Sequence, residues 1–199
     1  MARILVLQSS INGDQSQTNA LIGSFLAERQ AKGHDDDVRV RDLASLDLPV
    51  LDNELFHALR GAPSQSERAR KAVALSDELI AELKCSDLLL IGAPMYNLNV
   101  PTQLKNWFDL VARARVTFRY TETYPLGLVE GVRAIVFSSR GGVHVGQATD
   151  AVTPYLQAVL GLMGITDVKF VYAEGLDIKP HGVAAGLANA HREMAALHA

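Results

Sequence analysis

Residues 88–101 have the sequence LLLIGAPMYNLNVP. The first four form an apolar run without polar alternation, which is typical of a strand covered on both faces in a parallel sheet. Two prolines, Pro94 and Pro101, indicate a rigid loop after the strand. Pro101 also suits the start of a helix, where its missing N–H costs nothing. The stretch therefore predicts one strand–loop–helix unit of an α/β protein.

The same unit recurs along the rest of the chain. Apolar or β-branched runs predict four more strands, the second of them an alternating edge strand, at residues 4–7, 38–43, 134–137 and 168–172. Helical spacing of apolar residues predicts five helices. The first starts near Thr18, and the others cover about residues 72–83, 104–111, 152–160 and 182–196.

Strands that alternate with helices imply right-handed crossovers and a parallel sheet. We therefore expect a single domain over residues 1–199, a doubly wound five-stranded parallel sheet of order 2-1-3-4-5 with helices on both faces. Two long connections, at residues 44–65 and 114–132, are candidates for functional loops.

Composition excludes several classes of function. The net charge of -3 and the absence of a basic run argue against nucleic acid as a partner. Cys85 is the one cysteine, so no internal disulfide forms, and a reducing compartment is favoured. The apolar run at residues 4–7 is too short for a signal peptide, and no run approaches the roughly 20 residues of a membrane span. We expect a cytoplasmic protein that does not bind a membrane.

Ligands of open parallel sheets bind beyond the carboxyl ends of the strands. After the first strand, residues 9–19 read SSINGDQSQTN, which is rich in hydroxyls and amides and opens a helix. Helix N-termini hold phosphate well, and neither the Walker A loop nor the G-x-G-x-x-G fingerprint is present. The loop predicts a terminal phosphate held by neutral donors. Simple N-capping by Ser16 or Thr18 is the alternative.

The loops after the third and fourth strands complete the pattern. Met95, Tyr96 and Leu98 are suited to packing on an aromatic heterocycle, and Asn97 to bonding its edge; a tight turn folded into the core is the alternative. Residues 138–144 read SSRGGVH, and the paired glycines would let backbone N–H groups approach a ligand, although a plain glycine turn has the same sequence. Three such loops in register favour a flavin site.

At this point the sequence resembles the FMN-dependent NAD(P)H azoreductases, also described as NAD(P)H:quinone oxidoreductases, of the flavodoxin-like superfamily. The resemblance is carried by short segments in the family's order: SS at 9–10, SQTN at 16–19, APMYNL at 93–98, TQLKNWFD at 102–109, VTFRYT at 116–121, SRGG at 139–142 and GITD at 164–167.

The resemblance implies bound FMN, NADH or NADPH as electron donor, quinones and azo compounds as acceptors, and a homodimer with active sites at the subunit interface. Hydride would pass through flavin N5, with donor and acceptor using one flavin face in turn, which predicts ping-pong kinetics. It implies phosphate contacts from Ser10, Ser16, Gln17 and Thr18. It places around the isoalloxazine Met95, Tyr96, Asn97, Leu98, Ser139, Arg140, Gly141 and Gly142.

Further pocket residues are predicted with less support from motifs. Family members often carry aromatics at positions 98 and 162, so Leu98 and Leu162 leave the substrate preference open. Arg60 and Tyr120 come from the two long connections and are predicted to border the substrate pocket, although Arg60 also fits an ordinary surface arginine. His144 could stabilise negative charge on reduced flavin or orient a substrate.

Other chemistry finds little support. Cys85 is expected to be a buried small residue without a catalytic partner, and the six histidines show no metal-ligand spacing. Two rival functions remain: an electron carrier that docks on proteins, and a flavin or nucleotide sensor. The near-neutral charge argues against the carrier, which would need an acidic docking surface.

Overall fold

The computed structural model describes residues 1–63, 66–180 and 182–197. Five parallel strands form its central sheet: β1 (Arg3–Gln8), β2 (Asp37–Asp42), β3 (Leu88–Gly92), β6 (Arg133–Ser139) and β7 (Val168–Ala173). They lie in the order β2-β1-β3-β6-β7, which is 2-1-3-4-5 when only these strands are counted. The predicted α/β class, the five strands and their order are confirmed.

Within the described residues, six α-helices lie between and after the strands. They are α1 (Gln17–Ala31), α2 (Asn53–Ala58), α3 (Glu67–Cys85), α4 (Thr102–Val111), α5 (Val152–Met163) and α6 (Gly182–Leu197). Serine side chains cap α1 and α3, because the Ser16 and Ser66 hydroxyls accept the N–H of Asn19 and Ala69.

Alternate side chains of β1 belong to two separate apolar clusters. Leu5 and Leu7 pack in a cluster with buried residues of α3, α4 and α5. Ile4 and Val6 pack in a second cluster with residues of α1 and α6. Because successive strand residues point to opposite faces, β1 is buried on both sides, as its unbroken apolar run predicts.

The long connections hold structure that the sequence did not reveal. The described part of the first one contains α2, a six-residue helix capped by Asp52; Ser64 and Gln65 lie outside the described residues. The second one contains a small antiparallel hairpin, formed by β4 (Phe118–Arg119) and β5 (Leu126–Gly127). The prediction that Cys85 is buried was wrong, because the last residue of α3 is exposed.

The strand register sets the position of the loops. Gln8 of β1 lies opposite Gly92 of β3, and Gly92 lies opposite Phe137 of β6. The three loops therefore leave the same edge of the sheet side by side. None of the described helices is long and apolar enough to cross a membrane.

Candidate functional site

A cleft of about 360 Å³ opens at the carboxyl edge of the sheet. All three loops contribute to its lining, together with the chain that follows β7. The lining residues are Ser10, Asn12, Gln15, Gln17, Pro94, Met95, Tyr96, Ser139, Arg140, Gly141, Leu176, Asp177 and Val183. Seven residues that the sequence predicted are thus brought together: Ser10, Gln17, Met95, Tyr96, Ser139, Arg140 and Gly141.

The three loops are tied to one another by hydrogen bonds. Ser9 Oγ donates to the carbonyl of Gly92 at 2.6 Å, and Ser10 Oγ lies 3.1 Å from the hydroxyl of Tyr96. The N–H of Met95 donates to the carbonyl of Ser139 at 2.9 Å. The three loops that line the cleft are therefore connected to one another directly.

The first loop offers neutral donors at the start of α1. Ser16 caps this helix through the N–H of Asn19, and its Oγ lies 3.1 Å from Thr18 Oγ1, with both hydroxyls buried. Within the described chain, the N–H groups of Gln17 and Thr18 make no hydrogen bond. Free N–H groups at the positive end of a 15-residue helix bind an anion without a lysine or arginine. Ser16 and Thr18 thus shape the helix start, and Gln17 faces the cleft.

The second loop is a tight turn. Tyr96 and Asn99 exchange both of their backbone hydrogen bonds, at 2.9 and 3.0 Å. Asn97 and Leu98 between them have φ of 50° and 64°, the sign that a type I′ turn requires. Leucine in this conformation is strained, and Leu98 stays exposed instead of folding into the core. Asn97 lines a neighbouring cavity, and neither Asn97 nor Leu98 lines the cleft.

The third loop, residues 138–144 at the end of β6, presents free N–H donors at its two glycines. The carbonyls of Arg140, Gly141 and Gly142 accept the N–H groups of Leu176, Asp177 and Gly175 at 3.1, 3.0 and 2.9 Å. Among the described residues, the N–H groups of Gly141 and Gly142 have no partner. With their carbonyls occupied, these two glycines offer a ligand only N–H groups, which suits carbonyl oxygens or a ring nitrogen that gains negative charge.

Arg140 uses its side chain for the protein itself. The guanidinium is fully buried, lies 3.1 Å from Asp150 and 3.4 Å from Glu174, and donates to Thr153 at 2.9 Å. It also lies over the ring of Tyr172, at 4.9 Å from the centroid. The backbone of Arg140 is also bonded within the protein, because its N–H donates to the carbonyl of Ala173 at 2.9 Å and its carbonyl accepts from Leu176.

These contacts perturb the neighbouring ionisable groups. Burial opposes ionisation of Asp150, but hydrogen bonds from Thr153 and Arg140 outweigh it, and the pKa of Asp150 is lowered. Burial raises the pKa of the Tyr172 phenol. Both groups keep the charge state that pairs with Arg140 at neutral pH.

The predicted substrate residues lie apart from the cleft lining. His144 Nδ1 lies 2.8 Å from Thr149 Oγ1, and its Nε2 lies 2.8 Å from where a Cβ on Gly142 would be. The Arg60 guanidinium stacks on Phe56 at 3.9 Å. Tyr120 is exposed on the hairpin, and Leu162 is half-buried on α5. The described residues contain no cluster of His, Cys, Asp and Glu that could hold a metal; His181 and His198 fall outside them.

Sequence reasoning missed the chain after β7. Leu176, Asp177 and Val183 line the cleft, and Glu174 bonds to the third loop. No motif marks these positions. The order of strands was the available signal, because β7 lies next to β6 and its carboxyl end meets the same edge.

The fold and the three-loop cleft define a flavodoxin-like α/β protein, and a family model described as a flavodoxin-like fold matches residues 2–197. Curated relatives narrow the assignment. An FMN-dependent NADH:quinone oxidoreductase 4 of Burkholderia lata is 81% identical over 199 residues, 100% of each chain. An FMN-dependent NADH:quinone oxidoreductase of Aeromonas salmonicida is 60% identical over 197 residues, 99% of each chain. This chain belongs to the family of FMN-dependent NADH:quinone oxidoreductases.

Solved structures agree with the fold. An azoreductase from Bacillus anthracis superposes with a TM-score of 0.85 at 26% identity, over 98% of each chain. An FMN-dependent NADH-azoreductase from Bacillus anthracis in complex with FMN superposes with a TM-score of 0.86 at 23% identity, over 99% of this chain and 97% of the other.

Proposed function

We propose that this chain is an FMN-dependent oxidoreductase that transfers hydride from NADH or NADPH to quinones and to azo compounds. The observation that carries the proposal is the cleft, which joins a helix start with free N–H groups to a loop whose two glycines have free N–H groups. Its membership of the quinone oxidoreductase family supports the same reaction. FMN, held by the cleft, would supply the redox chemistry of this two-electron transfer through its N5 position.

The residues of the cleft fit FMN. The N–H groups of Gln17 and Thr18 and the Ser10 hydroxyl would hold the phosphate, and α1 would supply the positive potential. The N–H groups of Gly141 and Gly142 would donate to the polar edge of the isoalloxazine. Cavities of this size commonly hold cofactors.

The protein orients both substrates and gives the reaction its order. Donor and acceptor each need their reacting atom within about 3–3.5 Å of the same position for effective transfer. Two planar molecules cannot satisfy this together, so the cleft serves them in turn and the kinetics are ping-pong. His144 would stabilise developing negative charge or orient the substrate, since its ring is fixed over Gly142 by Thr149.

A homodimer completes the proposal. The side chains of Ile11, Leu98 and Val143 are 62%, 45% and 58% exposed on or next to the three loops. Apolar groups gathered around a cleft favour cover by a second copy of the chain. In that dimer we assign Arg60, Tyr120 and Leu162 to the substrate pocket. We also propose that helices cover both faces of the sheet and that the protein is cytoplasmic.

One series of measurements tests this function. The apo-protein should bind FMN, turn yellow and oxidise NADH with a quinone, giving parallel double-reciprocal lines. Flavin binding without turnover would instead favour the electron carrier or the sensor. Intersecting lines would refute the ping-pong order, and a fully active monomer in sedimentation would refute the dimer.

A further inference from the structure

Glu174 directly follows β7 and forms hydrogen bonds to the backbone of the third loop. Its Oε1 accepts the N–H of His144 at 2.7 Å and the N–H of Val145 at 2.9 Å. The same oxygen lies 3.4 Å from Nη1 of Arg140, at the other end of the loop. One carboxylate oxygen thus joins both ends of a six-residue segment.

Residues 174–177, which follow β7, also bond to other backbone groups of residues 140–145. The carbonyls of residues 140–142 are taken by the N–H groups of residues 175–177. Glu174 takes the N–H groups of His144 and Val145, which would otherwise also be free. Among the backbone N–H groups of residues 140–145, those of Gly141, Gly142 and Val143 are then the ones without a partner in the described chain.

Two adjacent glycines make such a loop costly to order, because glycine has the largest conformational freedom to lose. A flexible loop would have to be ordered whenever FMN binds, and the affinity would fall by the fraction of time that the loop is competent. Glu174 is a charged acceptor of two short N–H bonds, so it restricts the conformational freedom of the loop before FMN binds. Glu174 itself is mostly buried, with 16% of its side chain exposed, so solvent competes little with these bonds.

We propose that Glu174 is a positioning residue for the flavin: it pre-orders residues 140–145 so that the two glycine N–H groups point to one ligand. This inference rests on the proposed function, because it assumes that FMN occupies the cleft. It adds a residue that lies outside every motif of the sequence and acts through the loop.

The chain provides a matched control. Glu193 on α6 accepts the N–H of Tyr172 at 2.7 Å through Oε2. It is also a carboxylate bound to a backbone N–H of the β7 region, but the bonds it makes within the described residues go to Tyr172 and Asn189 and not to the third loop. Glu174→Ala and Glu193→Ala therefore remove comparable hydrogen bonds, and only the first one loosens the third loop.

The experiment measures FMN affinity by fluorescence titration of the apo-proteins, together with amide exchange of His144 and Val145 without FMN. Glu174→Ala should weaken FMN binding about 10- to 100-fold, the factor that one lost hydrogen bond to a charged group represents, and should speed exchange at both amides. Glu174→Gln keeps an acceptor oxygen and should bind FMN within about 5-fold of the native protein, since a neutral bond retains part of the energy. Glu193→Ala should lower thermal stability but leave both measurements unchanged.

The outcomes separate the two proposals. Native FMN affinity in Glu174→Ala, or an equal loss in Glu193→Ala, would overturn the positioning role. If the native protein bound no FMN, the proposed function would fail and the flavin role of Glu174 with it. Faster exchange at His144 and Val145 in Glu174→Ala would then still show the clamp on the loop.

Discussion

Replacing Arg140 by methionine should destabilise the protein strongly even without a cofactor. The guanidinium is fully buried between Asp150 and Glu174, whose side chains are only 8% and 16% exposed. Arg140→Met leaves both carboxylates buried and without their partner. Breaking a buried ion pair by removing one member costs about 3–5 kcal/mol. For a chain of this length, that corresponds to a fall in Tm of roughly 6–20 °C.

Arg3 provides the control. Its guanidinium also forms two hydrogen bonds to one carboxylate, that of Asp87, but the side chains are 57% and 44% exposed. Exposed ion pairs contribute little to stability, because water screens the attraction. Arg3→Met should therefore unfold close to the native midpoint. Urea denaturation of the three apo-proteins at pH 7 compares them, provided that the m-values agree.

The pH dependence gives a second check on the same variant. In the native protein the pKa of Asp150 is lowered, so its stabilising effect is present above the unfolded pKa and is lost as the pH falls. In Arg140→Met the buried Asp150 carboxylate loses the hydrogen bond that lowers its pKa, so its pKa rises and protonation relieves the penalty. The stability gap should narrow between pH 7 and about pH 3. A variant within about 1 kcal/mol of native at pH 7, or a gap that widens in acid, would refute this reasoning.

Three further predictions concern other parts of the chain. Gly141→Ala should lower the free energy of unfolding by about 1 kcal/mol, because its Cβ would lie 2.1 Å from the exposed Asp177 carboxylate. In urea denaturation, the double variant with Asp177→Ala should recover that loss. A loss that persists would mean that the new Cβ collides with another group. Cys85→Ser should leave NADH:quinone turnover unchanged, because Cys85 is exposed in a separate cleft beside Arg3; loss of turnover in a folded variant would make the thiol functional. Asp87→Asn should reduce acid-induced destabilisation only slightly between about pH 4 and pH 2. A hydrogen bond from Arg3 lowers the pKa of Asp87 to about 2, but water screens this exposed pair. A large change of slope in acid denaturation would contradict it.

The elements that sequence predicted best are those with long buried faces. Residues 88–91 and 134–137 are apolar without interruption and became β3 and the middle of β6. By contrast, α2 has six residues and buries only Leu55 and Ala58, too few for a helical period to stand out. The hairpin of β4 and β5 has two residues in each strand, so neither alternation nor length identifies it.

Sequence predicted the parts of the candidate site whose geometry is set by neighbouring residues. It did not predict the parts that depend on residues far away in the chain. Residues 9–19 revealed donors at a helix start because capping and phosphate binding are both local properties. The direction of the Arg140 side chain is set by Asp150 and by Glu174, which is 34 positions away. A single sequence does not show such pairs, so the position of Arg140 in a ligand loop suggested a ligand contact that its guanidinium does not offer.

The paired glycines also meet a physical need that the sequence did not indicate. Neither Gly141 nor Gly142 adopts the left-handed φ region, so backbone strain does not require glycine at either position. Space does: a Cβ at Gly141 would meet the Asp177 carboxylate, and one at Gly142 would meet the ring of His144 at 2.8 Å. Asp177 and His144 can lie this close only because both positions lack a side chain. The two glycines therefore leave room for these two side chains, while the backbone N–H groups of residues 175–177 occupy the carbonyls of residues 140–142.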